Sequence, residues 1–313
     1  MVTASPRSPT GDRAQLILVG AIVLAVAIVG LVVVLNTVLF TENVSNRVAL
    51  ESAGDAAELR ETVRDDLPGL VRGANRNGTH ATPAAARTAV NETVRRYGSL
   101  LAVSTGNRRP ASVVVGVADR PSVSKAVVDT DPSRELTARS GASDWTVAAD
   151  ATVQHYRLTV DAAELAATDA NAFRVNVSSG GSFWTLRLHR NGTAVDVDRA
   201  GTGVSGLDCT VSPTDGNVTL DLSNGTVADG ACSVPFAAGV SAPYAISYRN
   251  ATNATGTYLL VLDGTGATLG DVDAAGPWQS PRRDYVVDEA TVALRYSTPE
   301  LRYETTTNAT IYP

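Results

Sequence analysis

The chain is poor in several residue types, and each shortage excludes something. It has one lysine, Lys125, against twenty-five arginines, and ten glutamates against twenty-two aspartates. It has three histidines, two cysteines, one methionine and four phenylalanines. His80, His155 and His189 are scattered, with no HxH or HxxxH spacing, so no histidine-based metal centre is expected. Two thiols without a nearby histidine cannot complete a tetrahedral metal shell. A net charge of −6 offers no basic face to phosphates, so nucleic acid is not expected as a partner. Apolar residues make up 44% of the chain, which excludes a disordered composition.

The longest feature present is an uncharged stretch over residues 14–41. Its core, LILVGAIVLAVAIVGLVVVL at residues 16–35, is apolar all round. Twenty helical residues span ~30 Å, the thickness of a bilayer's hydrocarbon, so a single transmembrane helix is expected. Arg7 and Arg13 precede the run and Glu42 is the first charge after it. The positive-inside rule then puts the N-terminus in the cytoplasm and the bulk of the chain outside. An ordinary secretory signal has an apolar stretch of ~7–15 residues, so this longer one is expected to stay with the protein. The lipid bilayer is the first expected partner.

Asp12-Arg13-Ala14-Gln15-Leu16 stands directly before the apolar run. This pattern resembles the type III signal peptide of type IV pilins and archaellins. The resemblance implies cleavage between Ala14 and Gln15, with Asp12 and Arg13 recognised by the peptidase. It also implies that the apolar helix becomes the mature N-terminus, serving as anchor and as contact with other pilin-like subunits. The match covers about thirty residues, and Val19 stands where many bacterial pilins carry glutamate. The lysine-poor, aspartate-rich composition resembles that of haloarchaeal proteins. At molar salt the Debye length is ~3 Å, so acidic surfaces repel little. A GC-rich genome would favour the same residues. For the segment itself, two readings stay open: a cleaved pilin-like leader, or an uncleaved signal-anchor whose Arg13 obeys the positive-inside rule.

Beyond the run, helical spacing over residues 42–66 predicts a helix that Pro68-Gly69 ends or kinks. Thr82 with Pro83 predicts an N-cap and first position of a second helix, whose apolar face is Val90, Val94, Tyr97 and Leu101. From residue 106 the pattern changes to short β runs separated by Gly, Asn and Asp turns. Strands are predicted at 113–115, 146–160, 173–177, 183–188, 218–222, 244–248 and 258–262, with a closing hairpin of 286–296 and 301–311. The expected class is α+β: a transmembrane helix continuing into a helical stalk, then a mainly antiparallel β-sandwich-like ectodomain. The expected divisions are 1–14 cytoplasmic leader, 15–41 transmembrane helix, 42–105 stalk and 106–313 extracellular domain.

Ten of fifteen asparagines head an N-x-S/T sequon, where chance gives fewer than three. Asn43 lies close to the expected bilayer. The other nine, Asn77, Asn91, Asn176, Asn191, Asn217, Asn224, Asn250, Asn253 and Asn308, are candidate N-glycosylation sites. Asn-Gly-Thr is also a turn sequence, which alone accounts for Asn77, Asn191 and Asn224. Cys209 and Cys232, the two cysteines of an expected extracellular region, predict one disulfide.

Catalytic signals are weak. Residues 201–206, GTGVSG, match GxGxxG but lie among turns with no following helix. Ser205 lacks the second glycine of a nucleophile elbow, since Leu207 stands there. Asp129/Asp131, Asp196/Asp198 and Asp271/Asp273 are acidic pairs without the spacing of a calcium loop, and solvated acidic loops are expected there. No catalytic residue, metal or cofactor is expected. The functional expectation is a non-enzymatic surface protein, either a pilin-like or minor-pilin subunit or a single-pass anchored ectodomain for adhesion or envelope binding, whose ligand the sequence does not name.

Overall fold

The computed structural model describes residues 10–276 and 279–312, with side chains described except at 10–19, 37–49, 204, 205, 207, 208 and 229. Among the described residues two α-helices precede sixteen strands, with three short 3-10 turns between strands. Helix α1 spans Thr10–Arg76 and α2 spans Pro83–Gly106. Of the two outcomes expected at Pro68, an end or a kink, the helix does not end there. A proline inside a helix removes one hydrogen bond and crowds the preceding turn. Here Leu67 and Val71 on either side are fully buried, so packing carries the helix through. Helix α2 begins as its sequence predicts. Thr82 is extended and its hydroxyl accepts the Ala85 N–H at 3.2 Å.

The strands are β1 Ser112–Val117, β2 Ser122–Asp129, β3 Trp145–Ala151, β4 Val153–Asp161, β5 Phe173–Ser179, β6 Ser182–Asn191, β7 Ala194–Gly201 and β8 Val204–Val211. They continue with β9 Asn217–Asp221, β10 Thr226–Val227, β11 Cys232–Ser233, β12 Tyr244–Arg249, β13 Gly256–Leu262, β14 Thr268–Leu269, β15 Arg282–Ser297 and β16 Arg302–Thr310. A nine-stranded sheet has the order β1-β15-β2-β13-β4-β9-β10-β11, with β16 also on β15. A seven-stranded sheet has the order β14-β3-β12-β5-β6-β7-β8. All pairings between these strands are antiparallel, so the class is α+β with β-sandwich-like sheets.

The predicted single run 146–160 is two strands, and they belong to different sheets: β3 to the seven-stranded one and β4 to the nine-stranded one. Asp150, with φ 53°, takes a left-handed conformation just before the chain crosses over. Aspartate tolerates that region, so no glycine or proline marks the crossing. Strands β2, β7 and β8, and the two-residue strands β10, β11 and β14, lie outside the predicted runs. Most of β2 is buried, with no alternation to read, as expected of a strand covered on both faces.

The main core lies between the sheets. The few aromatics are concentrated there: Trp145, Phe173 and Tyr258 each meet Tyr248 edge-on at 5.2–5.6 Å, and Trp184 meets Phe236 at 5.4 Å. The Tyr156 and Tyr248 hydroxyls, one from each sheet, share a hydrogen bond of 2.7 Å. Burial raises both phenols far above their ordinary range, so they stay neutral. The disulfide joins Cys209 on β8 to Cys232 on β11, with Cα atoms 6.2 Å apart. These strands end the two sheets, so the bond staples one margin of the sandwich.

A second core lies under the helices. Ala56, Val63, Leu67, Val71 and Ala74 of α1 and Ala86, Val90 and Val94 of α2 pack on Val113, Val115, Val287, Val292, Leu294 and Tyr296. Gly98 lets α2 approach β1, since a Cβ there would sit 2.8 Å from the Val115 carbonyl oxygen. The end of α1 seals the open edge of β15. The Asn75 amide donates to the Val287 carbonyl and accepts the Val287 N–H, both at 2.9 Å, as a neighbouring strand would. Next to it, Asp284 accepts the His80 N–H at 2.7 Å, and His80 accepts the Tyr285 N–H at 3.2 Å.

Two outcomes follow. Asn75→Leu strands a buried donor and acceptor and should cost about 2–4 kcal/mol in denaturant unfolding of the full chain; a loss under about 0.5 kcal/mol would show that the edge needs no seal. Replacing Cys209 and Cys232 together by alanine should cost about 3 kcal/mol. In the native protein, alkylation without reductant should label neither thiol.

Candidate functional site

Helix α1 has two regimes. From Ala56 onward it buries one stripe against the sheet. Over residues 20–36 it is exposed on every side. Eleven large apolar side chains between Ile22 and Leu35 stand 51–67% exposed. Among the described residues no helix is long and apolar enough to cross a membrane. The described part of the apolar run is residues 20–35, because the side chains of 16–19 lie outside the described set. Asp12, Arg13, Ala14 and Gln15 fall within α1 by their backbone, and their side chains also lie outside it, as does that of Asn43.

The sequons divide by exposure. Asn77, Asn91, Asn191, Asn217, Asn224 and Asn308 are exposed. Asn176, Asn250 and Asn253 are half-buried. Asn176 sits in mid-strand between β12 and β6, its Oδ1 buried without a partner. The Asn250 amide donates to the Ala172 carbonyl at 3.0 Å, and that of Asn253 to the Asn171 carbonyl at 2.8 Å. Residues 201–206 form the turn between β7 and β8 and the start of β8, so no phosphate-binding helix follows them.

The acidic pairs are largely engaged by arginine and backbone N–H groups. Asp129 is buried and bonded to Arg134 at 3.0 Å; burial raises its carboxyl pKa in spite of that partner. Asp271 accepts Arg139 Nε at 3.2 Å and the Ser140 N–H at 3.0 Å. Asp196 and Asp198 correct the expectation of a solvated loop, since both are buried on β7. His189 lies between them, with Nε2 3.6 Å from Asp196 and Nδ1 3.6 Å from Asp198. Burial raises the Asp198 carboxyl, against the opposing pull of Arg187 and His189. Asp196 also accepts the Thr210 hydroxyl at 2.6 Å and the Asn191 amide at 3.0 Å. Asp169, His189 and Asp198 place ligand atoms within 4.8 Å of one another, a spacing that a cation could bridge. Arg187, 3.2 Å from Asp169, already supplies positive charge there.

From its sequence neighbours His189 is expected to be a surface or strand residue rather than a ligand. A signal for the cluster was present: Asn191-Gly192-Thr193 is a hairpin turn, and counting back from it sets His189 opposite Asp196. If His189 holds the two aspartates together, His189→Leu should cost about 1–3 kcal/mol of stability. Asp198→Asn should relieve part of that loss in a double-mutant cycle followed by thermal unfolding. Strictly additive effects would mean that the two side chains do not interact.

Comparison with known proteins adds one match. No curated protein and no solved structure matches the chain. Residues 10–135, covering α1, α2, β1 and β2, match a family of unknown function (DUF7261).

Proposed function

We propose that the chain is a non-enzymatic cell-surface structural protein, a pilin-like or minor-pilin subunit anchored by its N-terminal helix with the β-rich domain outside the cell. The observation that carries this reading is the exposed apolar run on a helix whose far end is packed into a folded domain. Burying each of those eleven side chains is worth ~1 kcal/mol or more. Together they amount to on the order of 10 kcal/mol, as much as the whole stability of a typical domain. Water is a poor environment for such a surface, whereas lipid or the same helix of neighbouring subunits suits it. Roughly 30 Å of helix separates Asn36 from Ala56, enough to hold the sheets clear of a bilayer.

The charges around the run, the disulfide and the six exposed sequons all suit an N-terminus inside and a domain outside. A single-pass anchored ectodomain for adhesion or envelope binding uses the same parts without cleavage. The size of the two-sheet domain speaks for that second reading.

Processing separates the two. On the pilin-like reading a membrane peptidase cuts after Ala14, and the mature chain begins at Gln15. Arg13 keeps the scissile bond at the cytoplasmic face, since an arginine at the bilayer centre costs at least ~2.5 kcal/mol. Arg13→Gln should therefore abolish cleavage while the helix still inserts. Intact mass of the purified protein reads the result, and protease added to whole cells should digest the domain in both cases. A wild-type chain that still begins at Met1 leaves the anchored ectodomain; a domain that resists protease on intact cells removes both.

A further inference from the structure

The outer face of the nine-stranded sheet, turned away from both cores, carries a small apolar cluster of Ala126, Val261 and Val286, joined by Val128, Leu259 and Tyr312. Register places one row of directly opposed residues across it. Arg282 on β15 faces Val128 on β2, Val128 faces Leu259 on β13, and Leu259 faces Arg157 on β4. The row is thus apolar at its centre with a guanidinium at each end. Strands are ~4.8 Å apart, so the two arginine backbones stand roughly 14 Å from each other.

The next row begins with Asp284 and ends with His155, over which Tyr312 lies at 5.3 Å between ring centres. On the other side, Thr159 and Thr257 are directly opposed. The end of α1 adds Asn75 and Arg76. With the Arg282–Arg157 row, Asp284, Tyr312 and the two threonines they line a cleft of about 490 Å³, within the usual size of small-ligand sites, and His155 lies outside its lining.

The cleft carries three arginines, Arg76, Arg157 and Arg282, against two buried acids, Asp129 and Asp284. Neither the Arg76 nor the Arg157 side chain makes a hydrogen bond or ion pair among the described residues. Arg282 is 7% exposed; its Nη1 donates to the Thr130 hydroxyl at 3.2 Å and the Gln279 carbonyl at 3.3 Å, Asp284 lies 3.7 Å from its Nε, and that Nε has no hydrogen-bond partner. Asp284 Oδ1 accepts the His80 and Tyr285 N–H groups, and its Oδ2 faces Arg282. Asp129, also at the margin, is bonded to Arg134. Burial lowers the His155 pKa, so that ring is neutral near pH 7 and adds no charge.

We propose that this cleft binds a small amphipathic organic anion. Its apolar body lies on Val128, Leu259 and Val286, and its carboxylate, sulfate or phosphate group is held by Arg282 with Arg76 and Arg157. Guanidinium groups with free donors beside an apolar floor are the complement of such a molecule: the floor gains from excluded water, and the anion completes Arg76 and Arg157, which the fold leaves without acids, and the unbonded Nε of Arg282. The site is independent of how the N-terminal helix is processed.

The test uses the full chain in lipid nanodiscs, with 4-fluorobenzoate as the probe followed by fluorine NMR and empty nanodiscs as the control for lipid uptake. Saturable binding is expected. Arg76→Gln and Arg157→Gln, at unpaired positions, should each weaken it up to about fivefold without lowering stability. Arg282→Gln should weaken it further. 4-Fluorobenzyl alcohol, which keeps the body and lacks the charge, and inorganic sulfate, which keeps the charge and lacks the body, should both compete poorly. The proposal is overturned by no saturable binding at low millimolar probe, by unchanged affinity in the Arg76→Gln/Arg157→Gln double variant, or by sulfate competing as well as unlabelled benzoate.

Discussion

The open edge of β15 is closed by a helix rather than by another strand. One asparagine side chain, Asn75, supplies the donor and the acceptor that a neighbouring strand would have offered to Val287. Unpaired buried backbone groups are costly, so the edge needs a partner of this kind. Because that partner sits at the end of α1, the position of the long helix on the sheet is set by hydrogen bonds as well as by apolar contact. The extra residue at Asp288 serves the same joint. The register of β15 shifts between Val287 and Glu289, so that both halves of the strand turn apolar side chains toward the helices.

Strand β15 therefore belongs to two structures at once. Its first half is a member of the sandwich, beside β2. Its second half lies between β1 and β16 beneath the helices. From Ala56 onward the helical segment and these strands share one core, so the packed end of α1 is part of the domain's margin. A helix held this way transmits its direction to whatever surrounds its other end. On the proposed reading, that end is lipid or a neighbouring subunit, and the rigid joint sets how the sheets stand relative to it.

The electrostatics follow from the shortage of lysine. Arginine forms forked, planar contacts with carboxylates, and its abundance together with aspartate yields close local pairs such as Arg134–Asp129 and Arg187–Asp169. Acidic pairs that look like solvated loops in the linear sequence are mostly committed to such partners. At the outer cleft Arg76 and Arg157 remain without acids beside an apolar floor.

Much of the local structure was legible. The apolar run, the Thr82-Pro83 helix start, most strands and the closing hairpin follow from patterns that repeat within a few residues. The disulfide was legible because only two cysteines exist to form it. Tertiary structure alone decided that α1 continues through Pro68, that the chain changes sheets at Asp150, and that Arg282 and Arg157 end one row. The reason is physical. Periodicity reports which side of an element is buried, whereas cross-strand neighbours depend on strand order and register, which here bring β2 and β15 together across some 150 residues of chain.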